Sequence, residues 1–392
     1  VVVLERNIKV LFGISLLSAF ILGIFELLFP FYLDYIGIPL VGMGLIFSIS
    51  SLVISFLRIL LGEYSDVYGR KKLYLASSAL GVAAKAFFPF SRGDLEVLGS
   101  KFLNDLQDNI RLTVHNVMLF ENAKSAYARF FSWFTTSGYI LQASGTLLFA
   151  VLLAYLGYSE LFFLLAAVEL VKLAILLFYR EDKQREYTKK VSVKEAYSFK
   201  LNKDLKILAV TSAISALGFG IAHGFLLPLY FVGKYGLDTF QISVITTLHR
   251  LSFLTTPLAG NVIGRLGLRR TFIVSTLAYA VSFLAVGLVT FPIFVFVPIW
   301  LIHDLLGGGI GMTATNVMMQ NLTDNETRGR QINVYNAIQT PMTILAPSIA
   351  GFLAALSWDY IFVAGGLFYV VSLAFFCIFF KSNLVVDASS TE

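Results

Sequence analysis

Lys101, Asp105, Asp108, Arg111 and His115 follow one another at intervals of four, three, three and four residues. On an α-helix that spacing places all five side chains on one face. Two readings of the face stand side by side. Lys101 with Asp105 and Asp108 with Arg111 have the i,i+4 and i,i+3 separations of ion pairs within one helix. Turned towards a polar cavity, the same groups would bind solute or protons, with Arg111 neutralising an acid or holding an anionic group. Glu26, His223, His249, His303 and Asp304 extend the inventory, which includes all four histidines of the chain. Glu26 has no basic residue at helical spacing, so it must pair across helices or carry a proton. Histidine titrates near neutral pH and ligates transition metals. The set therefore suits protons or a polar solute, with a metal ion as the alternative. No H-x-x-x-H or E-x-x-H pair on one helix fixes a metal geometry.

These residues lie in a chain of 392 that is 57% hydrophobic and 14% charged. A soluble domain carries about 25% charged residues, so the composition argues against a water-soluble globular enzyme. A membrane helix needs about 20 apolar residues. Apolar stretches fall at 10–33, 40–61, 73–90, 95–121, 128–156, 158–179, 205–231, 239–262, 271–290, 292–320, 330–357 and 359–380, twelve in all. The first has a basic lead-in, Arg6 and Lys9, but no A-x-A cleavage site, and reads as a retained helix. At the centre of a membrane helix each charge costs roughly 2.5–3.5 kcal/mol, so four on one face cost on the order of 10–14 kcal/mol. The apolar residues of that helix return only about 2–5 kcal/mol on the same scale. The face with Asp105 and Arg111 must therefore meet a polar cavity or compensating partners. The single cysteine, Cys377, excludes a disulfide framework and a thiolate cluster, and its Phe-rich surroundings predict inert packing.

Charge placement sets orientation. Of 30 basic residues, 22 fall on the side that holds both termini, and two, Arg92 and Lys234, fall on the opposite side. That asymmetry predicts cytoplasmic termini. The net charge of +6 then reports membrane orientation and not nucleic-acid binding. One long polar connection, residues 180–204, separates 1–179 from 205–392, which predicts two six-helix bundles joined by a cytoplasmic linker.

The two halves resemble each other. Phe29-Pro30-Phe31-Tyr32 is matched 198 residues later by Leu227-Pro228-Leu229-Tyr230, and Asn116-Val117-Met118 is matched 200 residues later by Asn316-Val317-Met318. GEYSDVYGRKK (62–72) is matched, 198 residues on, by GNVIGRLGLRR (260–270). Parallel repeats of six helices mark one class of secondary transporter. With this repeat, and with Gly62, Asp66, Gly69, Arg70, Lys71 and Lys72 in the spacing G-x-x-x-D-x-x-G-[RK]-[RK]-[RK], the chain resembles the major facilitator superfamily.

The resemblance implies an all-α polytopic membrane protein of twelve transmembrane helices in two six-helix pseudo-repeats. It also implies that helices 1, 4, 7 and 10 line a central cavity. Glu26, Asp105, Asp108, Arg111, His115, His223, His303 and Asp304 are then the substrate and proton-coupling candidates. Asp66, with Glu121 and Arg129 nearby and a partner near the start of helix 11, would latch the cytoplasmic side; the other reading of the loop is a topological anchor. The second copy has Gly264 where the first has Asp66, so a latch would be asymmetric.

The function so implied is secondary active transport of a small molecule or ion by alternating access, coupled to protons, with efflux antiport as one form. Facilitated diffusion, uptake and metal-ion transport are alternatives, and an intramembrane enzyme using His and Asp groups is the rival class. No G-x-x-x-x-G-K-[ST] is present for ATP, and Gly307-Gly308-Gly309 reads as a site of close helix packing or bending. The reading needs no cofactor and no nucleic acid, and describes a monomer in the cell membrane. In a Cys377→Ser background, cysteines at positions 92 and 234 are expected to react with an impermeant maleimide on intact cells. Cysteines at 72 and 381 should react only after permeabilisation.

Overall fold

Without water in the hydrocarbon layer, a spanning chain must satisfy its backbone hydrogen bonds internally, and an apolar helix does so. A computed structural model describes residues 2–123, 127–181, 200–324 and 327–382, with the side chains of 2–5, 58–68, 127–129, 132, 329 and 330 left out of the description. The first six apolar stretches become α1 (Val2–Tyr35), α2 (Leu40–Tyr68), α3 (Arg70–Phe87), α4 (Asp94–Ala123), α5 (Tyr127–Tyr155) and α6 (Tyr158–Leu177). The remaining ones become α7a (Lys203–Ala222) and α7b (Leu227–Tyr235), α8a (Thr239–Ser252) and α8b (Ala259–Leu266), α9 (Leu268–Leu288), α10a (Ile293–Ile302) and α10b (Gly309–Leu322), α11 (Arg328–Leu356) and α12 (Asp359–Phe379). No strand occurs among the described residues.

Three stretches that read as continuous in the sequence are interrupted. The seventh breaks at His223, whose φ of −124° and ψ of 19° are not helical, and restarts with Pro228 in the first turn of α7b. Proline lacks an N–H and fits the first helical turn better than a helix interior. A 3-10 turn, Phe253–Leu258, holding Pro257 splits the eighth stretch, and a π turn, His303–Gly308, splits the tenth. Nine helices of the described residues are long and apolar enough to cross a membrane. The other three passes fall short for physical reasons: α4 and α6 carry several charges, and α8 is divided.

The repeat is visible in the backbone. Four glycines have positive φ: Gly37 (80°) and Gly236 (62°), 199 residues apart, and Gly69 (90°) and Gly267 (77°), 198 apart. Gly69 and Gly267 also share ψ values of 138° and 160°, a region that residues with a Cβ avoid. The turns ending the first two helices of each half thus depend on glycine at equivalent positions.

Two compact units result, Val1–Val191 with Leu237–Leu251, and Ser192–Gly236 with Ser252–Glu392. The segment bearing α8a therefore groups with the first unit, although by sequence it belongs to the second half. Of the expected linker 180–204, residues 182–199 lie outside the described residues, and α7a already begins at Lys203. Within the first unit, α1 lies along α5 at near backbone contact: a Cβ on Gly145 would stand 2.5 Å from the Phe20 carbonyl oxygen, and one on Gly23 would collide with the Gln142 carbonyl. Thr146 fastens the crossing by donating to the Gly23 carbonyl at 3.2 Å. Small residues at such crossings let helices approach closely enough for dispersion to hold them together. In the second unit, Leu205, Leu208, Phe272, Met318 and Phe376 form the core that joins α7a, α9, α10b and α12. Cys377 is exposed on α12, a correction to the packed position predicted from its Phe-rich sequence. The helix turns its phenylalanines Phe376 and Phe380 inward instead.

Because the α1–α5 approach leaves no room for a side chain, Gly145→Val is expected to destabilise the fold by about 1–3 kcal/mol or more. Gly138→Ala, two turns earlier and 3.8 Å from the nearest atom, should be tolerated. Thermal unfolding of the purified variants measures the difference.

Candidate functional site

The polar face of α4 is resolved into three separate sets, two of them held by neighbouring helices. Towards one end, Lys101 and Asp105 pair along the helix, and Ser50 of α2 donates to Asp105 Oδ2 at 2.6 Å. The Lys101 ammonium also lies 4.6 Å from the centre of the Phe47 ring, a cation–π arrangement. Midway, Asp108 and Arg111 pair at 3.2 Å. Beyond them, His115 Nδ1 meets the Tyr74 hydroxyl of α3 at 3.1 Å, and its ring packs near Phe134. His115 is therefore a satisfied residue of a helix-packing core. Both ion pairs foreseen from spacing are present.

Beside α4, Glu169 and Lys172 of α6, an i,i+3 pair by spacing, are joined by Lys85 from another helix, which spacing did not connect to them. Lys85 of α3 and Glu169 and Lys172 of α6 are 1–2% exposed, with Lys85–Glu169 at 3.2 Å and Lys172–Glu169 at 2.7 Å. Lys85 also donates to Asn104 Oδ1 at 3.0 Å. With Ser18, Phe25 and Asp108 these groups line a cleft of about 10 Å³, room for about one water. Lysine and glutamate are almost never buried unless paired, and here one carboxylate answers two ammonium groups.

Glu26 does not join the α4 face. Its carboxylate accepts from Gln142 Nε2 of α5 at 2.9 Å and forms an ion pair with Arg250 of α8a. Thr247, one turn before Arg250, donates to the Ala143 carbonyl at 3.3 Å, so α8a is tied to α1 through Arg250 and to α5 through Thr247. Arg250 was visible in the sequence as an intramembrane arginine, but its partner lies 224 residues away and no local pattern connects them.

In the basic loop motif, Gly69 makes the turn into α3. Arg70 forms an ion pair with Glu121 of α4. The backbone N–H groups of Arg70 and Lys71 donate to Glu181 at 2.7 and 3.2 Å, an acid at a helix N-terminus. Lys71 Nζ donates to the Leu177 and Tyr179 carbonyls, and Lys72 is exposed. Asn7 donates to Asn122 and to the Arg180 carbonyl. The motif thus fastens α3 to α4 and to the end of α6, and Asn7 adds α1 at the same end of the first unit. Gly62 lies within α2, and the side chains of Asp66 and Arg129 lie outside the described residues.

In the second unit, His223, His303 and Asp304 converge, with one donor atom of each within 4.8 Å of the others. His223 caps α7a, and His303 and Asp304 open the π turn of α10; both of the latter are fully buried. The π turn exposes carbonyls that an α-helix would use, and Ser275 of α9 donates to that of Leu306 at 2.8 Å. Gly307 sits against the Tyr279 ring and Gly311 against Ser275, so the glycine run provides both the bend and the close packing read from it. His249 is buried on α8a.

The family model described as Major Facilitator Superfamily matches residues 11–248 and 208–390. No curated protein matches the chain by sequence. Among solved structures, a variant of the nucleoside transporter NupG is 14% identical, with a TM-score of 0.82 over 96% of this chain and 100% of that one. A bacterial homologue of the iron transporter ferroportin, inward-facing, is 17% identical, with a TM-score of 0.80 over 96% and 99%. A bacterial homologue of the human lysosomal transporter Spinster, inward-facing and occupied, is 12% identical, with a TM-score of 0.73 over 95% of each chain. At such identities the likeness is one of fold.

Removing the shared carboxylate is expected to be costly, because Glu169→Ala leaves two buried ammonium groups unanswered. A loss of about 3–5 kcal/mol follows from the behaviour of broken buried pairs. Thermal unfolding should show a large fall in Tm, partly recovered when Lys172→Met is added.

Proposed function

Because the chain belongs to the major facilitator superfamily, we propose that it is a proton-coupled secondary transporter that exchanges a small polar solute for protons by alternating access. The observation that carries the coupling is the tie of Glu26 to Arg250 and Gln142. A carboxylate binds a guanidinium strongly only while ionised. A proton on Glu26 replaces the ion pair with a weaker neutral contact and loosens α8a from α1 and α5. Proton binding and helix movement are thereby the same event, which is what coupling requires. An equilibrium between two arrangements shifts only by the difference in a ligand's affinity for them, and the lost ion pair supplies that difference for the proton.

The fixed charges beside α4 suit a different role. Lys85, Glu169 and Lys172 satisfy one another in a cleft too small for a solute, so they hold α3, α4 and α6 in register. Asp108 and Arg111 are more open, with side chains 35% and 14% exposed, and in this reading they meet the solute. The basic residues concentrated on one side support a reading with both termini in the cytoplasm of a cell-membrane protein. A monomer suffices, since both six-helix halves lie in one chain. Catalysis has no part in the proposal.

Proteoliposomes loaded with a pH-sensitive dye test it, using a solute selected by thermal-shift screening. Solute flux in the wild type should follow an imposed pH gradient and carry protons in the opposite direction. Glu26→Gln should retain solute binding but lose at least about tenfold of the gradient-driven rate. Unchanged gradient dependence in that variant would remove Glu26 from the coupling.

A further inference from the structure

We propose that His223, His303 and Asp304 form a binding site for one divalent first-row transition-metal ion, joining the break in α7 to the π turn of α10. The proposal is independent of proton coupling at Glu26. Its first support is the tautomer of His303. Nδ1 lies within hydrogen-bond distance of the Trp300 carbonyl, which only accepts, so Nδ1 carries the hydrogen and Nε2 presents its lone pair. That lone pair faces Asp304 Oδ1 at 3.2 Å. Two electron-rich atoms at this separation, both fully buried, call for a proton or a metal cation between them. Metal–nitrogen and metal–oxygen bonds of about 2.0–2.2 Å put neighbouring ligands of one ion about 3.0–3.5 Å apart, which includes the observed spacing.

The backbone gives the second support. Consecutive residues of a regular α-helix point about 100° apart, yet His303 and Asp304 are both buried and aimed at one place. The π turn permits this, and single π turns often occur at functional sites. A third donor arrives from another helix: His223, at the end of α7a, has a ring nitrogen within 4.8 Å of both. Its ring is stacked between Phe219 (4.7 Å, 15°) and Trp300 (5.8 Å, 7°). The His303 ring is enclosed by Tyr279, Phe283 and Trp300 at 4.9–5.3 Å. The Trp300 carbonyl on Nδ1 is the outer-shell partner that orients a ligating histidine, and the aromatic wall keeps water from competing for the ion.

The donor set selects the metal. Two imidazoles and one carboxylate match the ligands used for zinc, iron, cobalt, nickel and manganese. Magnesium and calcium prefer oxygen. The alternative occupant of the gap is a proton, giving a buried imidazolium–carboxylate pair that leaves no saturable metal site.

Titration of the purified full-length chain, stripped with chelator, separates the two. Co²⁺ is followed by its visible absorption and Zn²⁺ by calorimetry. One ion per chain is expected, with no displacement by Mg²⁺ or Ca²⁺ and a metal-dependent rise in Tm. Asp304→Asn and His303→Gln should each weaken binding by roughly 10–100-fold or more. Should either buried-site variant fail to fold, His223→Gln at the helix break makes the same test. Absence of saturable Co²⁺ and Zn²⁺ binding, or equal affinity in wild type and Asp304→Asn, would overturn the site. Either result leaves the reading of Glu26 to its own flux assay.

Discussion

A charged side chain inside a membrane helix has to be answered by a partner on its own helix or on a neighbour, and much of this structure is organised by that demand. Water is absent to solvate the charge, and leucine or phenylalanine on the same helix recovers too little to offset it. Several charged groups described on the inner faces of the first unit accordingly find their answer nearby. Glu169 of α6 meets Lys85 of α3, Ser50 of α2 meets Asp105 of α4, and Arg250 of α8a meets Glu26 of α1. These contacts do for helix pairing what a hydrophobic core does in water, and they do so with direction. A carboxylate placed one residue away would face a different neighbour.

The apolar remainder packs by another rule. Lipid tails are as apolar as leucine, so close approach of small residues replaces the hydrophobic effect as the cohesive term. Gly23 and Gly145 bring α1 and α5 to backbone distance, and Gly365 stands against the Gly218 carbonyl where α12 crosses α7a. Glycine also permits the interruptions. His223 ends α7a one residue before Gly224, and His303 and Asp304 open a turn that ends in Gly307 and Gly308. The same flexibility that breaks these helices brings three metal-type donors together in the second unit.

The fold was largely legible in the sequence. Apolar runs of membrane-spanning length, a repeat at 198–200 residues and one basic loop motif identify the architecture, because lipid leaves the backbone few options. Ion pairs within one helix, Lys101–Asp105 and Asp108–Arg111, were also legible, since spacing alone sets them. Partners on different helices were not. Nothing in the sequence connects Arg250 with Glu26, or Lys85 with Glu169, because helix rotation and depth are set by packing. His115 illustrates the limit from the other side: its position on the polar face is as expected, yet Tyr74 and Phe134 enclose it in a core. The breaks at His223 and His303 were hidden for a related reason. Proline and glycine mark where a helix is able to yield, while the neighbouring helices decide whether it does.

Coupling between proton and helix rests on the Glu26–Arg250 ion pair, and a double-mutant cycle on that pair is the most direct examination of it. Unfolding free energies of the wild type, Glu26→Gln, Arg250→Gln and the double variant would be compared at neutral pH and again where Glu26 is protonated. A coupling energy of about 0.5–3 kcal/mol is predicted at neutral pH, disappearing at the acid value. Additive effects of the two substitutions at neutral pH, or a coupling that does not change on acidification, would contradict the account.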